Sequence, residues 1–74
     1  MEHNKEISSQ DSDILWMTIR SLRDNKLSAS DLLVLKSIES NQNVPQKLLD
    51  YRQALRDIPS QFSHPNEVVW PILN

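Results

Sequence analysis

The chain has 74 residues, 38% of them hydrophobic, with no cysteine, no glycine and a formal net charge of −2. At that length it is one domain with a thin core, and without cysteine it has neither a disulfide staple nor a thiolate for zinc. Eight basic side chains against ten acidic ones leave no electrostatic footprint for nucleic acid, and a chain without glycine has no Gly-dependent phosphate loop.

Residues 1–11 are polar, with Ile7 the only large hydrophobe after Met1. They read as an N-terminal tail, and 12–74 as a single small helical module. Glu2 and Glu6, with no apolar stretch behind a basic start, do not read as a signal peptide. The longest apolar run, Leu32 to Leu35, is far short of the ~20 residues that span a bilayer.

Asp11, Ser12 and Asp13 are good N-cap types, so a first helix is expected to start there. Leu15, Ile19, Leu22 and Lys26 follow a 4-3-4 spacing, an amphipathic stripe that should run to Lys26 or Leu27. Ser28 to Asp31 offer a second cap ahead of Leu32, Leu35 and Ile38. That pattern fits a short helix over 31–40 or a continuation of the first one, and the sequence leaves both open. Asn41, Gln42 and Asn43 have turn composition. Val44 and Pro45 open a further helix, with Pro45 in its first turn. Leu48, Arg52, Leu55 and Ile58 continue the helical spacing, and Pro59 is expected to end it.

The remainder, with Pro65, Pro71 and the run Val68-Val69-Trp70, reads as extended, either lying across the helices or forming an edge strand. Without glycine, every turn falls to Asn, Asp, Ser or Pro, which argues against a β-rich fold. The expected fold class is mainly α: a small bundle of two to three helices with an extended C-terminal segment. Its expected core is Leu15, Ile19, Leu22, Leu35, Leu48, Leu55 and Ile58.

The sequence offers no catalytic, cofactor-binding or metal-ligating set. His3 and His64 lie in no metal or nucleophile–base spacing. Asp50 and Asp57 share a helix face, but Arg52 and Arg56 lie among them, which reads as solvated ion pairs. Arg20, Arg23 and Lys26 form a basic stripe interrupted by Asp24, the wet face of a helix. The serines sit where caps and loops want hydroxyls. Aromatic anchors remain. Trp16 is either core or partner-facing, and Trp70 is held rigid by Pro71. Trp70 is read first as docking on its own helices and second as inserting into a partner. The candidate partner-binding residues are Trp16, Val68, Val69, Trp70 and Pro71.

The string Tyr51-Arg52-Gln53-Ala54-Leu55-Arg56-Asp57-Ile58-Pro59, followed by Val69-Trp70-Pro71, is the most specific feature of the chain. With Leu22-Arg23, the segment Asp31 to Ile38 and Val44-Pro45, it resembles the phage tail assembly chaperone family over Arg20 to Pro71. One departure is Leu32, where that family usually places an aromatic residue after the capping Asp. The resemblance implies a non-enzymatic protein that binds a phage tail, tail-fibre or baseplate component in the host cytoplasm during assembly. The alternative is a small structural subunit retained in the mature virion tail or fibre complex. Self-association stays open as a further mode of contact. No nucleic acid, membrane or cofactor is expected as a partner.

Overall fold

The computed structural model describes residues 9–73. Helix α1 spans Ser9–Glu39 without a break, and helix α2 spans Gln46–Gln61. A single 3-10 turn, Pro65–Glu67, follows, and residues 68–73 carry neither helix nor strand. Among the described residues there is no strand, so the chain is mainly helical, as its composition suggested.

The two segments that the sequence left open, up to Leu27 and 31–40, are one helix. No proline or glycine interrupts α1. The cap-type residues at the suspected joint act otherwise. Ser30 Oγ donates back to the Leu27 carbonyl at 2.7 Å, and the Asp31 carboxylate goes to Arg52. Neither is therefore spent on opening a new helix. The helix begins at Ser9, ahead of the Asp11-to-Asp13 caps expected from sequence. The last three residues of the expected tail, Ser9 to Asp11, thus form its first turn, and 1–8 lie outside the described residues.

The end of α1 replaces glycine with asparagine. Asn41 has φ 57°, the left-handed region. Its N–H donates to the Ile38 carbonyl at 3.0 Å, and the Gln42 N–H reaches the Ser37 carbonyl at 2.9 Å. This is a Schellman cap, which satisfies two carbonyls that the helix end would leave orphaned. Asparagine tolerates this conformation better than other non-glycine residues.

Pro45 sits at the N-cap of α2, one position before the first helical residue, and its carbonyl accepts from the Leu48 N–H at 3.0 Å. At the other end, Pro59 does not stop α2: the helix continues to Gln61, where the Phe62 N–H closes on the Ile58 carbonyl at 3.3 Å. A proline in the last turn removes one hydrogen bond, and the burial of Ile58 beside it holds the turn in place.

The helices form an antiparallel hairpin. Its core is small: Leu55 is 0% exposed, Ile58 1% and Leu48 4%. All three were expected. Leu15, Leu22 and Leu35 were also expected and are instead exposed, while Ile19 is half-buried. Leu35 lies on the side of α1 opposite the buried Ser30, whereas for Leu15 and Leu22 the cause is length. At 1.5 Å per residue, α1 is about 46 Å long and α2 about 24 Å. The shorter helix covers only the C-terminal half of the longer one, and the molecule is a rod of 61 × 18 × 16 Å.

Candidate functional site

Arg52 lies on the α2 stripe between Leu48 and Leu55, so helical geometry aims it at α1 rather than at water. Its guanidinium donates to the Leu27 carbonyl at 3.2 Å and to Ser30 Oγ, and meets Asp31 Oδ1 at 2.7 Å. Ser30 is the buried polar residue here, 3% exposed, and its hydroxyl both donates to Leu27 and accepts from Arg52. The arginine ties the middle of α2 to the C-terminal half of α1. The solvated pairing of Arg52 and Arg56 with Asp50 and Asp57 is not what forms. Asp50 accepts from Gln46 at 2.9 Å, Asp57 accepts from Gln53 at 2.9 Å, and Arg56 donates to Gln53 at 3.3 Å. A charged residue in an otherwise apolar 3–4 spacing was the available signal for the Arg52 link.

The C-terminal segment returns along α1. The 3-10 turn packs on α1 with Pro65 buried, and Lys26 Nζ sits 5.1 Å from the centre of the Trp70 ring. Leu73 then reaches the neighbourhood of Leu33 and Leu48. Trp70 thus lies against its own helix, the first of the two readings that the sequence left open. Trp16 has a separate environment, with the Arg20 guanidinium 6.0 Å from its ring centre. The ten residues from Trp16 to Lys26 correspond to about 15 Å along α1, so the two indoles occupy different stations of one helix. Both are half-buried, as are Val68 and Pro71, whereas Val69 is 71% exposed.

The continuity of α1 extends the stripe read from the sequence. Leu15, Ile19, Leu22, Lys26, Ala29, Leu33 and Lys36 keep a 4-3 alternation over the whole helix. The C-terminal segment meets this stripe at Lys26 and near Leu33, leaving Leu15 and Leu22 exposed. Met17 and Leu32 are each 68% exposed on other faces. Leu32, the position at which the resemblance departs, leaves most of its side chain in solvent.

An open cavity of about 440 Å³ lies where α1, the connecting loop and the start of α2 converge on Leu73. Leu33, Leu48, Pro45 and Leu73 supply apolar walls, and Lys36 and Lys47 stand on opposite helices. Nothing in the sequence spacing pointed to it, because it joins residues from three separated segments. Among the described residues, no three His, Cys, Asp or Glu side chains gather to hold a metal, and no helix is long and apolar enough to cross a membrane.

The model of the phage tail assembly chaperone protein family matches residues 16–73, which include both helices' shared core, the Arg52 link and the C-terminal return. The chain belongs to the phage tail assembly chaperone family. The match starts at Trp16 and ends at Leu73, so both aromatic stations fall inside the family module. Membership places the protein in bacteriophage tail assembly. No curated protein and no solved structure matches the chain.

Proposed function

We propose that this tail assembly chaperone is a non-enzymatic protein that works by holding a tail, tail-fibre or baseplate component in the host cytoplasm while the tail is built. One observation carries the reading: the hairpin leaves much of its own apolar surface uncovered. Leu15 and Leu22 are exposed on the α1 stripe, and Ile14, Met17, Leu32 and Ile38 are exposed around its other faces. A monomer rarely keeps so much apolar surface on one element unless another surface covers it. The core of Leu48, Leu55 and Ile58 is also too thin to make so small a chain robust alone, and a partner is a usual remedy. Trp16 and the Val68-Val69-Trp70-Pro71 end flank this surface and are the contact residues we assign to it.

The test is co-purification of the chain with each tail, tail-fibre and baseplate protein of its phage, expressed in pairs. A stable complex with one of them is expected; failure with all of them removes the proposal. Searching purified mature virions for the polypeptide then separates a chaperone that departs from a subunit that stays.

A further inference from the structure

The cavity beside Leu73 combines two features that the bare α1 surface lacks: concavity and unspent charge. Lys36 comes from the last turns of α1 and Lys47 from the first turn of α2. Neither has an ion-pair or hydrogen-bond partner among the described residues, although carboxylates lie on both helices. Asp50 is taken by Gln46, and Asp31 by Arg52. Beside the lysines the walls combine apolar Leu33, Pro45, Leu48 and Leu73 with polar Ser37, Ser40 and Gln42. The volume, about 440 Å³, is near the lower end of the ~300–1,000 Å³ usual for binding pockets.

We propose that this cavity receives a short acidic–apolar segment of the bound tail component, with an apolar side chain against Leu33, Leu48 and Leu73 and flanking carboxylates on Lys36 and Lys47. The inference rests on the assembly reading above and names the part of the surface that gives it specificity. Charge complementarity selects the occupant. Two lysines from different helices lining one partly apolar cavity match carboxylates that flank an apolar side chain. They do not match a polyanion, which a chain of net charge −2 repels. The bare α1 surface supplies contact area, whereas the cavity supplies register, because a misplaced segment would leave a carboxylate unpaired or a lysine opposite another cation.

The experiment titrates the ¹⁵N-labelled full chain with a decapeptide alternating leucine and glutamate, and with its control carrying glutamine for glutamate. Expected are amide shifts centred on Leu33, Leu48 and Leu73, and binding about tenfold weaker for the control. The Lys36→Glu, Lys47→Glu double variant should lose a similar factor; both lysines are exposed and unpaired, so the fold survives the change. Equal affinity for the two peptides, shifts clustered on Leu15 to Leu22 instead, or shifts that grow with protein concentration alone would overturn the proposal, the last by showing that a second copy fills the cavity. A second arm uses the tail component found by co-purification. If the double variant binds that component as tightly as the parent, the cavity assignment fails while the assembly reading stands. If the peptide binds as expected but no tail component does, the assembly reading fails, and with it the tail segment as occupant, leaving only the cavity's preference for acidic–apolar peptide.

Discussion

Arg52 on α2 meets Asp31 on α1 at 2.7 Å, and the same guanidinium also reaches Ser30 and the Leu27 carbonyl. The contributions of these contacts differ. The Asp31 side chain is 61% exposed, so its ion pair with Arg52 competes with water and is worth ~1 kcal/mol or less. The bonds to Ser30 and Leu27 lie in the buried seam, where a charged donor contributes about 1.5–3 kcal/mol. Arg52→Met should therefore destabilise by about 2–3 kcal/mol and Asp31→Asn by under about 1 kcal/mol. Chemical denaturation of both variants checks the order. A loss for Asp31→Asn as large as for Arg52→Met would show that the ion pair, rather than the seam, holds the helices.

Leu55 is fully buried at the centre of the hairpin, and its truncation leaves a cavity that a three-leucine-sized core has little means to collapse. Leu55→Ala should cost about 2–5 kcal/mol, enough to unfold much of so small a domain. Leu22→Ala, on the exposed stripe, should cost far less, because its side chain is already largely in water. Thermal melts by circular dichroism would show the contrast, and equal melting temperatures for the two variants would mean that the stripe is covered in solution.

The comparison of Leu55 with Leu22 also shows what the sequence discloses. Both sit in the same 3–4 spacing, and spacing reports which face of a helix is apolar, not whether anything covers it. Coverage depends on the relative lengths of α1 and α2, and those turned on one ambiguous joint at Ser28 to Asp31. The cap residues there were legible, but their use was not: Ser30 bonds backwards and Asp31 bonds across to α2. Such choices are tertiary, and the helical pattern does not record them. By contrast, the loop at Asn41 and the opening at Pro45 followed from local chemistry. The cavity at Leu73 was invisible, since its walls come from both helices and the chain's far end.

Asn41 gives a prediction of opposite sign. Its backbone occupies the left-handed region where a side chain is a liability. Asn41→Gly should stabilise the chain by roughly 0.5 kcal/mol or leave it unchanged, and Asn41→Val should destabilise it by about 1–2 kcal/mol. For a domain of this size, 1 kcal/mol moves the melting temperature by about 4–8 °C, well within reach of a thermal melt. A valine variant as stable as the parent would mean that α1 ends differently in solution.

The last prediction separates self-docking from partner binding at the two indoles. The cation–π contact of Lys26 with Trp70 is worth about 0.5–1 kcal/mol, and Trp70→Ala should lower stability by more than that, because the half-buried indole is lost as well. Trp16→Ala loses the longer Arg20 contact at 6.0 Å together with the part of its indole that is buried, and should also be a modest loss. Binding should respond more strongly than folding. If Trp16 and the Val68 to Pro71 end anchor the tail component, each alanine variant should weaken the complex by ~1–4 kcal/mol while helix content holds. Lys26→Met provides the control: it removes the cation–π contact and leaves the indole, so it should cost less stability than Trp70→Ala and spare most of the binding. Calorimetric titration of the co-purified component with the three variants reads all of this at once. Parental affinity in both tryptophan variants would move the contact away from the indoles, to the leucine stripe or the cavity.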